Sequence, residues 1–214
     1  MSLDVEKVQE AIIELLKKQG VEIKEEPIVP IGVSNRHIHL SEDDLAACFG
    51  YDYELTPLKD LSQPGQFACK ETVIICGPKG AIENVRILGP LRGKTQVEIF
   101  ASDNFKLGIK APLRISGELD GAAPITVIGP KGSVFLKEAA IVAKRHIHMT
   151  PEDAQKFGVF DGQEVSLEIQ GARGGVLSNV TIRVTDSSKL DCHVDTEEAN
   201  AMGLTNSSKA KIIK

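Results

Sequence analysis

Tryptophan is absent from the 214 residues, and aromatic side chains make up only 4% of them. This removes the stacking platforms on which single-stranded nucleic acids are read. Positive charge is in short supply too: 25 Lys and Arg stand against 30 Asp and Glu, a net charge of −5. Binders of phosphate backbones draw on clustered basic residues, so a nucleic-acid partner is not expected. A small anion remains open, because a few Arg and Lys can converge in one pocket of an acidic protein. Apolar runs last only a few residues, far short of the roughly 20 that span a bilayer. No basic stretch followed by an apolar one opens the chain, so no secretory signal is read there and no membrane is expected. Cysteine is sparse, and Cys48, Cys69, Cys76 and Cys192 form no CxxC pair. A reduced, cytoplasmic setting is the simplest reading, with buried structural roles favoured over nucleophilic ones.

Enough apolar material remains for a core, at 42% of residues, and the length allows one large domain or two of about 100 residues. Residues 4 to 18 place Val5, Val8, Ile12, Leu15 and Leu16 at helical spacing between Glu and Lys. Gly20 ends this amphipathic helix, and Glu25, Glu26 and Pro27 read as a linker. The helix either packs on the body of the protein or docks into a partner's groove. From Ile28 onward short β-rich runs such as TQVEIF, PITVIGPKGSVFL and EVSLEIQ alternate with Gly, Pro, Asn and Asp, the texture of small barrels or sandwiches. Ser41 and Thr150 each cap a short helix whose first turn is acidic.

An internal repeat organises the chain. Arg36-His37-Ile38-His39 recurs as Arg145-His146-Ile147-His148, and Gly80-Ala-Ile-Glu-Asn-Val lines up with Gly175-Val-Leu-Ser-Asn-Val. Continued without a gap, the second match sets Asn84 against Asn179 and Gly108 against Gly203. Two homologous halves follow.

Residues i and i+2 of a strand share a face, so His37 and His39 can converge on one metal, as can His146 and His148. A catalytic zinc keeps three protein ligands and an open position. The ungapped alignment offers the third in each half, because Glu98 falls opposite His193. The inferred sites are His37, His39 and Glu98, and His146, His148 and His193. These account for all five histidines. A structural zinc more often takes four ligands and favours Cys. Each HxH follows an arginine, and a salt bridge to the acidic helix start nearby is expected for Arg36 and Arg145. Arg92 differs: it stands in a Gly/Pro turn six residues before Glu98, and the repeat has Ser187 in its place. Its planar fork suits phosphate or carboxylate, although a structural role weighs equally on these residues alone.

The stretches VSNRHIHLS, GPLRGKTQVE, AKRHIHMTP and CHVDTEEANA resemble the PduL-type phosphotransacylases, or phosphate propanoyltransferases, over about residues 28 to 213. The resemblance implies a mainly β protein: two similar small β-barrel domains capped by short α-helices, preceded by the N-terminal amphipathic helix. It places that helix and linker at residues 1–21, the first barrel at 36–143, and the second at 22–35 plus 144–214, with the first strand crossing over. It implies transfer of a short acyl group, propanoyl or acetyl, between coenzyme A (CoA) and phosphate at a dinuclear zinc site. Zinc would be held by the two HxH pairs with Glu98 and His193, and phosphate by Arg92. CoA contacts would come from Ser34, Lys59, Arg86, Leu88 and Asn200. It also implies a bacterial microcompartment setting, with the leading helix as an encapsulation segment meeting shell or core proteins, and leaves a homo-oligomer open. Three rivals stand beside it: a metal-dependent hydrolase of thioesters or acyl phosphates, a cupin-like single-metal enzyme, and a non-enzymatic metal-binding or shell protein.

Overall fold

The computed structural model describes residues 28–214, together with Leu15 and Lys18, both helical and exposed. The amphipathic helix expected over residues 4 to 18 otherwise lies outside the described residues. Mainly β structure forms two closed six-stranded barrels with four short helices among the described residues. The first barrel runs through β4 (Phe67–Gly77), β5 (Gly80–Gly89), β2 (His37–His39), β6 (Gln96–Ile99), β9 (Ser133–Ala143) and β8 (Ala123–Ile128), and β8 pairs back onto β4. Strands β3 (Pro57–Asp60) and β7 (Leu113–Arg114) add to β4 and β9. The second runs through β1 (Ile28–Ser34), β13 (Asp191–Asp195), β10 (His146–Met149), β12 (Gly175–Val184), β11 (Glu164–Ile169) and β14 (Lys209–Ile213), and β14 closes onto β1.

The two barrels share one topology. In each the HxH strand lies between a parallel neighbour, β5 or β12, and an antiparallel one, β6 or β13. The antiparallel neighbour pairs in parallel with β9 in the first barrel and with β1 in the second. The chain's first strand therefore fills in the second barrel the place that β9 fills in the first. It follows that the chain passes between barrels twice, at Asn35-Arg36 and at Lys144-Arg145, each time directly before a His pair.

Alternation builds each core. Ile38, Ile87 and Val97 turn into the first barrel and Ile147, Ile182 and Leu167 into the second, all fully buried. Each such side chain contributes about 2 kcal/mol of hydrophobic stabilisation, and the intervening positions project outward. The helices start where Ser and Thr predict. The Ser41 hydroxyl accepts from the Asp44 amide at 3.2 Å and starts α1 (Glu42–Phe49). Thr150 and Asp153 form a capping box at α3 (Pro151–Phe157). The two remaining helices, α2 (Asp103–Leu107) and α4 (Thr196–Met202), end on the left-handed Gly108 and Gly203, at φ 72° and 66°. Asn84 and Asn179 share φ 58°, a conformation a short polar side chain tolerates. The repeat is thus one of backbone geometry as well as of sequence.

Candidate metal centre

The site lies on the outward faces of three strands in each barrel. Antiparallel pairing sets His37 directly opposite Glu98 on β6, and His146 directly opposite His193 on β13. Cross-strand partners share a face, so each HxH pair and its third residue project together.

The second trio is drawn tight. Nε2 of His146 lies 3.0 Å from Nε2 of His148. Ring centroids are 5.3 Å apart for His146 and His193, and 4.9 Å for His148 and His193. Nδ1 of His146 donates to the Lys144 carbonyl at 2.8 Å, which fixes the tautomer and leaves Nε2 with its lone pair. Burial, reinforced by His193, pushes His146 down to about 4, and burial with the charge of His146 pushes His148 down to about 3. Both rings are therefore neutral at pH 7, the state a metal requires. His193 leans over β1, where a Cβ on Gly32 would sit 2.8 Å from its Cδ2 and 2.7 Å from Asp191 Oδ2. Only glycine leaves that space. Nε2 of His193 also lies 3.1 Å from Asp191 Oδ2 and 3.2 Å from the Ser62 hydroxyl.

The first trio is looser. Nε2 of His37 lies 3.4 Å from Glu98 Oε2, and the His37 and His39 rings meet edge-on with centroids 5.4 Å apart. Among the described residues only the second trio has all its donor atoms within 4.8 Å of one another. Nδ1 of His37 donates to the Asn35 carbonyl at 2.8 Å, so both interbarrel crossings orient a histidine in the same way. Burial pulls His37 down, but the Glu98 carboxylate outweighs it and the ring is raised. Burial pushes Glu98 up, yet His37 holds its carboxyl well below the usual carboxylate range. Burial, with the charge of His37, pushes His39 down to about 3. Nδ1 of His39 is buried with no well-formed hydrogen bond, the Leu88 backbone giving only a weaker contact. A buried His39 nitrogen without a well-formed hydrogen bond, and three imidazoles converging on one point, both fit a zinc-like ion with its coordination left open.

Arg92 is half-buried beside this trio. Its Nη1 donates to Ser116 Oγ at 3.3 Å. Gln96 Nε2 donates to the same hydroxyl at 2.8 Å and to Glu98 Oε1 at 2.7 Å. The trios share one electrostatic field: Arg92 acts on His37 and His39, and Glu98 acts on His146. A loop of the first barrel reaches over the second trio. Gln63, buried, donates to the Lys189 carbonyl at 2.9 Å and accepts from the Lys189 amide at 3.1 Å, which sets Ser62 against His193.

The remaining sequence candidates spread more widely. Arg86 pairs in register with His37, but its Nη1 is engaged by the Cys69 and Lys70 carbonyls at 3.1 and 2.7 Å. Leu88 follows it on β5, half-buried. Ser34 ends β1, its hydroxyl 3.3 Å from the Val194 carbonyl. Asn200 on α4 and Lys59 on β3 are exposed, and neither bonds to either trio among the described residues. Glu42 and Glu152, the carboxylates nearest the HxH pairs in sequence, lie in the first turns of α1 and α3.

Both RHIH arginines form ion pairs, but with a different helix from the one expected. Arg36 pairs with Asp103 of α2, at 2.6 and 2.9 Å, and Arg145 with Glu198 of α4, at 2.8 Å. The reason is topological. Antiparallel pairing brings the start of β2 beside the end of β6, where α2 begins, and repeats this with β10, β13 and α4. Sequence reasoning missed Arg183, Asp191, Ser62 and Gln63. For Arg183 a signal existed, since strand alternation places it on the outward face.

A family model described as phosphate propanoyltransferase matches residues 30–205. The chain is 51% identical over 208 residues to the phosphate propanoyltransferase of Rhodobacter capsulatus, covering 97% of each protein. It is 51% identical over 193 residues to that of Thermotoga maritima, covering 90% of this chain and 92% of the relative. With the enzyme of Lachnoclostridium phytofermentans it shares 54% over 178 residues, 83% of each. The chain belongs to the phosphate propanoyltransferase family of acyltransferases.

Proposed function

We propose that this protein moves a short acyl group, propanoyl or acetyl, between CoA and inorganic phosphate on the face its two barrels share. The observation that carries the proposal is the convergence of His146, His148 and His193 on one point, within the electrostatic reach of Glu98 from the first trio. His146, His148 and His193 would hold one zinc ion, and His37, His39 and Glu98 a second. Bound metal supplies polarisation of the thioester carbonyl and stabilisation of the leaving thiolate. In the reaction an oxygen of hydrogen phosphate attacks the carbonyl carbon, the C–S bond breaks, and the phosphate proton ends on the CoA sulfur. Arg92 would hold the phosphate against the carbonyl and lower its charge repulsion, and the common face brings the two substrates together. Ser34, Arg86, Leu88, Lys59 and Asn200 remain proposed CoA contacts. The microcompartment setting and the encapsulation role of residues 1–21 are likewise part of this proposal. CoA release from propanoyl-CoA tests it: release should require phosphate and yield acyl phosphate, whereas phosphate-independent release of free acid would mark a hydrolase.

Direct transfer needs no cysteine. Cys48, Cys69 and Cys192 are buried. Burial pushes the Cys48 thiol up, the Cys69 thiol up to about 11 and that of Cys192 higher still. Cys192 is the register partner of Ile147 and packs in the second core. Single Cys→Ala variants should keep turnover within about threefold of wild type, the range left by modest repacking. Loss of activity in one soluble variant would point to an acyl-enzyme.

A further inference from the structure

Arg183 occupies a position in the second barrel that no counterpart in the first barrel matches. Val180 and Ile182 of β12 are fully buried in the core, so Thr181 and Arg183 project outward. Parallel pairing sets Thr181 beside His146 and Arg183 beside His148, on the face that carries the second trio. At the corresponding place on the first barrel stands Leu88, and Ser187 stands where the first half has Arg92. Each barrel thus carries one outward arginine that the other lacks.

The surroundings of Arg183 make this informative. It is half-buried, and it forms no ion pair or hydrogen bond with any described residue. Arg36 and Arg145, in contrast, are each neutralised by a carboxylate. The charge of Arg183 reaches Arg92, His146 and His148. Nearby carboxylates are already engaged, Glu98 with His37 and Gln96, and Asp191 with His193. Glu98 offsets part of the charge of Arg92, yet the two guanidiniums still repel each other, and an anion bridging them turns that repulsion into attraction.

We infer that Arg183 is a second phosphate-holding side chain, taking oxygens of the phosphate or acyl phosphate from the second barrel while Arg92 takes others from the first. The inference rests on the acyl-transfer reading. A tetrahedral dianion offers more oxygens than one fork can engage, and two forks from opposite sides fix its orientation as well as its charge. The pyrophosphate of CoA has the same chemistry, so the test separates the two sources.

Steady-state kinetics of metal-loaded R183A, with phosphate and propanoyl-CoA varied independently, decides the matter. The KM for phosphate should rise roughly ten- to a hundredfold, the loss expected for one charge-assisted contact, with the KM for propanoyl-CoA within about twofold. Added guanidinium ion should restore part of the lost activity. An unchanged phosphate KM, or a rise confined to propanoyl-CoA, overturns the assignment. Where R183A does not fold, R183K replaces it: a phosphate KM raised about fivefold is expected from loss of the planar fork, and a wild-type value counts against it. Failure of the underlying reading is visible beforehand, as wild-type protein that releases CoA without phosphate.

Discussion

His148→Ala is expected to lower phosphate-dependent CoA release on the order of a thousandfold, with loss of about one bound metal per chain. The size follows from what the residue touches. His148 stands 3.0 Å from His146, Nε2 to Nε2, and its ring meets that of His193 edge-on with centroids 4.9 Å apart. Removing one of three donors leaves a pair that neighbouring waters complete poorly. The metal's contribution to the transition state is several kcal/mol, and each 1.4 kcal/mol is a factor of ten. The fold should survive, because the side chain projects outward while Ile147 and Met149 carry the packing. Metal analysis with the kinetics checks this: a variant that keeps both its metal and its turnover would remove the second trio from the reaction.

Arg92→Ala is expected to reduce kcat/KM for phosphate about a hundredfold or more, since it removes the fork nearest the first trio. Arg92 also donates to Ser116, which accepts from the same Gln96 amide that supports Glu98. An indirect effect through Glu98 is therefore the rival explanation. Ser116→Ala separates the two, because it breaks the relay and spares the guanidinium. A loss within about threefold is expected for Ser116→Ala, and R92K should recover only part of the wild-type value, as a point charge replaces a fork. If Ser116→Ala matched Arg92→Ala, Arg92 would be a positioning residue for Glu98.

Much of this site was legible in the chain itself. Glu98 and His193 were found by sliding one half along the other without a gap, and the slide works because β5 to β6 and β12 to β13 are built alike, down to Asn84 and Asn179 at φ 58°. Register then sets each third residue opposite the first histidine of its pair. The helix starts at Ser41 and Thr150 were legible for a local reason, since a cap is satisfied within its own first turn. What escaped is set by chain crossings. The partners of Arg36 and Arg145 lie 67 and 53 residues further along the chain (103 − 36 and 198 − 145), because antiparallel pairing folds the chain back. Gln63 clasps Lys189 across the barrels, and no local pattern announces a contact 126 residues distant. Arg183 had the right alternation, but its meaning depends on having no carboxylate beside it, which only the assembled faces reveal.

Two unequal metal sites are proposed here, one of three imidazoles and one of two imidazoles and a carboxylate. Zinc titrated back into chelated protein, with metal content and phosphate-dependent CoA release followed together, tests this proposal most directly. Activity should be absent without metal and should saturate as bound zinc reaches about two per chain. Full turnover in the metal-free protein, or saturation at one ion, would contradict it.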